Sequence, residues 1–169
     1  MNSLVVERLN INSFRILSRI YASEQYDYIK YLTLFNNFTD QNAISEADSI
    51  LLSCKTNDNS YTYIGLRGTN YEVPRFSIFV PSNLSRLGLG TLLTNLGCFI
   101  ANKKGFSFLE LKVDKKNISA IKLYLNCNFH IYKAFTSDSQ ILMRKDIRDS
   151  SCPEYIQWSS EINSLLKQS

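Results

Sequence analysis

The stretch from Arg75 to Gly105 changes its apolar period once, and that change constrains the fold more than any other feature of the chain. From Arg75 to Val80 the residues alternate, with Phe76, Ile78 and Val80 on one side and Arg75, Ser77 and Phe79 on the other. A period of two is a strand. From Leu92 the apolar positions are Leu92, Leu93, Leu96, Phe99 and Ile100, the spacing of a helix, which Gly105 can end as its C-cap. Between them lies a short loop carrying Gly88 and Gly90. A strand feeding a helix through a tight glycine loop is a βα unit, which places the chain among the α/β folds.

The flanking segments extend the pattern. Leu4–Val6 reads as an edge strand, and Asn12 or Ser13 can cap a helix bearing Phe14, Leu17 and Tyr21. Asp27 can cap a second helix with Tyr28, Tyr31 and Phe35 on one face, and a polar loop follows from Asn36 to Ser49. Ile50–Thr56 and Tyr61–Arg67 read as a hairpin about the turn residues Asn57-Asp58-Asn59-Ser60. Phe108–Val113 reads as a strand, Asn117 as the cap of a helix to about Cys127, and Phe129–Phe135 and Gln140–Arg144 as two last strands. Pro153 suits the first position of a helix bearing Ile156, Trp158, Ile162 and Leu165. The expectation is one α/β domain over residues 1–146, a mixed central sheet flanked by helices, with a short C-terminal helical appendage over 147–169.

Composition narrows the class. A chain of 169 residues, 44% hydrophobic and 20% charged, can bury one core. No apolar run approaches a membrane span, and the N-terminus meets a charge at Glu7, too early for a signal peptide, so no membrane association and a cytoplasmic location are expected. The net charge of +4 is scattered, its densest pairs being Lys103-Lys104 and Lys115-Lys116, which disfavours a nucleic-acid partner. Cys54, Cys98, Cys127 and Cys152 form no CxxC pair and His130 is the one histidine, so no metal is expected and the thiols read as reduced and mostly buried.

Two segments carry chemistry. In Arg86-Leu87-Gly88-Leu89-Gly90-Thr91 the glycines let a ligand approach the backbone. The first-turn N–H groups of the helix, with its dipole, make a phosphate site to which Arg86 adds a charge. The loop lacks the Lys-Ser/Thr of a P-loop, and Leu93 stands where a dinucleotide fingerprint needs a third glycine. A tight turn with close helix packing explains the two glycines equally well. Downstream, Tyr124 lies seven residues after Asn117, two helical turns or about 10 Å along one face, with the small Ala120 between them. An N-cap and a half-buried aromatic are the plain alternatives for Asn117 and Tyr124.

Together the segments resemble the GNAT superfamily of acyl-CoA-dependent N-acyltransferases. Val80, Gly88, Gly90, Val113, Asn117, Ala120, Tyr124 and Phe129 fall in that family's register. Ser85 stands where the family has Gln or Arg, Arg86 where it often has Gly, and Asn128 where it has Gly before Phe129. The resemblance implies acetyl-CoA as co-substrate. Its pantetheine would lie along Ile78 and Val80, its pyrophosphate on Arg86, Leu87, Gly88, Leu89, Gly90 and Thr91. Asn117 and Ala120 would flank it, and Tyr124 would reach the sulfur. The implied reaction is direct attack of a small-molecule amine, an amino sugar being favoured, through a tetrahedral intermediate, with Tyr124 as the acid.

Family members often draw a general base from the strand before the loop. Here that strand offers none, which leaves Glu72, Glu110 or a chain of waters. The other reading is an acyl-CoA sensor or interaction module with little turnover. The tail helix is expected to cover an apolar patch on the domain or on a second copy, which leaves a homodimer open.

Overall fold

The computed structural model of the chain describes residues 4–24, 48–134, 139–154 and 156–167. Eight strands form one sheet: β1 (Leu4–Arg8), β2 (Ser49–Lys55), β3 (Tyr61–Arg67), β4 (Arg75–Phe79), β5 (Phe108–Asp114), β6 (His130–Ala134), β7 (Gln140–Asp146) and β8 (Ile156–Trp158). Their order is β6-β7-β5-β4-β3-β2-β1-β8. The helices are α1 (Ile11–Ser23), α2 (Leu89–Lys103), α3 (Ile118–Asn126) and α4 (Ser160–Lys167). The sheet is mixed: β4–β5 and β1–β8 are parallel, the other neighbours antiparallel. This is the mixed α/β architecture that the alternation of periods predicts.

Each face of the sheet has its own core. Phe14, Leu17 and Tyr21 of α1 pack on Leu51, Tyr63 and Phe79. On the other face Leu93, Leu96 and Ile100 of α2 and Tyr124 of α3 pack on Ile64, Leu66, Phe76, Leu109, Leu111 and Val113. Phe76 and Phe79 thus point to opposite faces, as the pleat requires, and β4 is covered on both sides.

Local chemistry sets most boundaries, and three expectations are corrected. The cap of α1 is Asn10, not Asn12 or Ser13: Asn10 Oδ1 accepts the N–H groups of Asn12 and Ser13, each at 3.0 Å. Ser13 Oγ answers by accepting the Asn10 N–H at 3.0 Å, a reciprocal capping box. Leu4–Val6 is not at the sheet edge, because β8 pairs beyond it, Val5 with Gln157 and Val6 with Trp158. Ile156 and Trp158 are accordingly strand, not helix; the open edge of β1 offers hydrogen bonds that one more helical turn would not, and the helix begins at Ser160. Trp158 lies against Phe99 with ring centroids 6.1 Å apart, and Ile162 is fully buried, so the tail packs on the domain itself. The helix expected from Asp27 lies outside the described residues. All four cysteines are free, and three of them are buried.

Candidate functional site

β4 and β5 pair at one register position, Arg75 with Glu110, and the Glu110 N–H reaches Pro74 O at 3.2 Å. Beyond that pair the strands part. The gap between them opens into a cleft of about 560 Å³. Its walls are Phe76 to Val80 of β4, Lys112 to Asp114 of β5, and Asn117, Ala120, Leu123 and Tyr124 beside and along α3.

The loop from β4 to α2 closes one end. Gly88 is left-handed at φ 80° and caps α2, and Arg86 is left-handed at φ 62°. That second value explains why a glycine suits position 86, since a side chain there costs about 1 kcal/mol. The first-turn N–H groups have no partner within the helix and lie at the positive end of its dipole. Gly90 has a different reason: a Cβ there would stand 2.9 Å from Leu123 Cδ2, so the absence of one lets Leu123 of α3 pack directly on α2. The two glycines therefore do serve turn and packing, and the same geometry leaves the helix end bare.

Asn117 caps α3. Its Oδ1 accepts the Ala120 N–H at 3.1 Å and the Ser119 hydroxyl at 3.0 Å, which leaves Nδ2 as its side-chain donor, and the residue lines the cleft. Asn128 ends the helix at φ 64°, the left-handed turn an asparagine tolerates in place of glycine. Tyr124 is 7% exposed and its ring lies 5.8 Å from that of Phe129. Among the described residues its hydroxyl has no hydrogen-bond partner. Burial pushes the phenol above its ordinary value, with the nearby Cys127 acting in the same direction. The group therefore stays protonated throughout the neutral range.

Of the residues expected to hold a cofactor, Ile78, Val80, Arg86, Gly88, Gly90, Thr91, Asn117, Ala120 and Tyr124 line this cleft. Leu87 and Leu89 belong to the same loop and turn but do not line it, and Leu87 is 64% exposed. Neither carboxylate expected as a base is brought in. Glu72 is exposed on the link between β3 and β4. Glu110 is buried, its Oε1 accepting Arg144 Nε at 2.9 Å.

Sequence reasoning missed Glu24, Ser77, Lys112 and Asp114, all of which line the cleft. For Ser77 and Lys112 a signal existed, their place on alternating strands facing the gap. For Glu24 there was none: its Oε1 accepts the Ser82 N–H at 2.8 Å across 58 residues of sequence. Asp114 Oδ1 accepts the Lys116 N–H at 2.7 Å. Among the described residues no group of three His, Cys, Asp or Glu side chains could hold a metal ion, and no helix is long and apolar enough to cross a membrane.

The family model of the acetyltransferase (GNAT) family matches residues 18–129. No curated protein matches the sequence. Among solved structures, an acetyltransferase of the GNAT family from Streptococcus pneumoniae superposes with a TM-score of 0.68 at 18% identity, over 85% of this chain and 98% of that one. The PaiA N-acetyltransferase of Thermoplasma acidophilum, in complex with coenzyme A, gives 0.66 at 17% identity over 85% and 99%. The spermidine N-acetyltransferase of Vibrio cholerae, in complex with CoA and spermine, gives 0.59 at 16% identity over 84% and 93%.

Proposed function

The chain belongs to the GNAT acetyltransferase family, and from that premise we propose that it transfers an acetyl group from acetyl-CoA to a primary amine of a small polar molecule, amino sugars among them. The observation that carries this reading is the split between β4 and β5, with the bare start of α2 at one end and the unpartnered Tyr124 hydroxyl in its wall.

The residues suit the co-substrate. Free main-chain groups of β4 from Ile78 to Val80 can pair with the amides of pantetheine as a strand would. The first turn of α2, with Arg86, suits a pyrophosphate. Asn117 Nδ2 adds a donor. Acetyl-CoA supplies an acyl carbon activated as a thioester.

Attack by the neutral amine nitrogen on the thioester carbonyl forms the new C–N bond and a tetrahedral intermediate, whose collapse breaks the C–S bond. Tyr124, held protonated by burial, gives its proton to the departing sulfur. The amine's own proton leaves to water; Glu24 and Asp114, the carboxylates lining the cleft, each accept a main-chain N–H through one oxygen.

The test is Tyr124→Phe. Free CoA is followed with a thiol reagent against a panel of amines, and CoA affinity is measured by calorimetry. Among the described residues the hydroxyl holds no partner, so its removal should leave the fold intact; kcat should fall by at least about 100-fold while CoA affinity changes little. An unchanged kcat overturns the role of Tyr124. CoA binding with no turnover across the panel points instead to an acyl-CoA sensor.

A further inference from the structure

Two cations stand beside the split, neither of them in an ion pair among the described residues. Arg75 is exposed at the apex, where β4 and β5 still pair, and Lys112 is exposed in the β5 wall. Both lie on the α1 face. Phe76, Leu109, Leu111 and Val113 turn to the opposite face, so their alternates Arg75, Glu110 and Lys112 turn to this one. Among the described residues neither Arg75 nor Lys112 has a hydrogen-bond or ion-pair partner. Arg75 sits in register with Glu110, but that carboxylate is held by Arg144 at 2.9 Å, and Arg144 is in turn fixed over the Tyr132 ring, 3.8 Å from its centroid. Glu24 and Asp114 are held to the main-chain N–H groups of Ser82 and Lys116 and not to either cation.

On the far face the split is walled by Gly90 and Thr91 of α2 and by Ala120, Leu123 and Tyr124 of α3, the side that the proposed co-substrate would fill. Deeper in, α2 sits so close to β4 that Phe76 fills the space of a Gly97 Cβ. An acceptor must therefore come in on the α1 face, past Ser77, Arg75 and Lys112. Lys112 lies two residues beyond Glu110 along β5, about 7 Å, so one anionic group can lie within reach of both cations.

Resting on the acetyl-transfer reading, we propose that the acceptor is an amine that also carries an anionic group, a carboxylate or a phosphate, bound by Arg75 and Lys112. The anion outweighs the repulsion that these cations exert on an ammonium. The same cations favour the neutral, nucleophilic form of the amine, which eases the lack of a free carboxylate base. A polycationic amine has no such anchor.

The experiment compares five acceptors with acetyl-CoA: an α-amino acid, its amide, an aminohexose phosphate, the unphosphorylated aminohexose, and spermidine. The expected result is a kcat/KM for one anionic acceptor at least about tenfold above its neutral counterpart, and the favoured arm tells carboxylate from phosphate. Arg75→Ala and Lys112→Ala should each lower that ratio by about tenfold, the scale of one charge-assisted hydrogen bond, and Arg75→Lys should restore part of it. Calorimetry of the anionic acceptor with the CoA complex should show the same loss of affinity, independently of turnover. Neutral or cationic acceptors that match the anionic ones, or a ratio unmoved by both variants, overturn this proposal and leave acetyl transfer standing. No acetylation of any amine, with no acceptor bound, removes both.

Discussion

Alanine in place of Gly97 should destabilise this protein, although the same change in most helices stabilises them. Gly97 is inside α2, where alanine is favoured over glycine by about 1 kcal/mol. At this position the new Cβ would stand 2.2 Å from Phe76 Cε2 and 3.0 Å from Cδ2 and Cζ. The ring has little room to move: Phe76 is 4% exposed and stacks on Phe129 at an interplanar angle of 18°, centroids 6.5 Å apart. Overpacking costs about 1–3 kcal/mol, and so short a contact belongs at the upper end. Set against the helix gain, the net loss is about 2 kcal/mol, a fall of roughly 4–8 °C in Tm for a domain of this size.

The assay is thermal and urea unfolding of wild type, Gly97→Ala, Phe76→Leu and the double variant. Leucine lacks the ring edge that clashes, so in its background the alanine should raise stability by about 1 kcal/mol, giving a coupling of about 3 kcal/mol. Phe76 also lines the cleft, so the single variant should weaken CoA binding as well. A Gly97→Ala protein that melts at or above the wild type would refute the reasoning, and with it the close seat of α2 on β4.

Three further outcomes are expected. Ile162→Ala removes a fully buried side chain of α4 and should cost about 2–5 kcal/mol in urea unfolding; a loss below about 1 kcal/mol would show the tail to be loosely attached. Glu110→Gln should lower stability by about 1–3 kcal/mol by weakening the bond to Arg144 but leave kcat within about threefold, whereas a hundredfold fall in kcat would mark Glu110 as the base. Burial pushes the Cys54 thiol up to about 12 and Cys98 up to about 11, from 9.0. Both ionise first in the unfolded chain, so their stabilisation is complete below about pH 9 and is lost as pH rises towards 11–12. Each thiol then costs about 1.4 kcal/mol per pH unit in that window. Urea midpoints at pH 7, 9 and 10.5 measure this, and a flat profile to pH 10.5 would contradict it.

What could be read from the sequence was local, and what could not was long-range. The change of period at the β4–α2 junction, the Asn117 cap and the left-handed Asn128 each depend on neighbours within a few residues, and each stands where the residues put it. Trp158 misled because its helical spacing with Ile162 is real, while its strand partner Val6 is remote in sequence. A sheet edge competes for backbone hydrogen bonds in a way that no local pattern reports. Glu24 was invisible for the same reason, since its role depends on Ser82. Arg86 lies between these cases. A glycine is usual there in the resembling family, and the left-handed backbone shows the physical need for it. Under the proposed binding of acetyl-CoA, the charge of Arg86 at the mouth of that helix end would offset a strain of about 1 kcal/mol. Such a position, where local preference and observed residue disagree, is where a binding site is most expected to show itself in sequence.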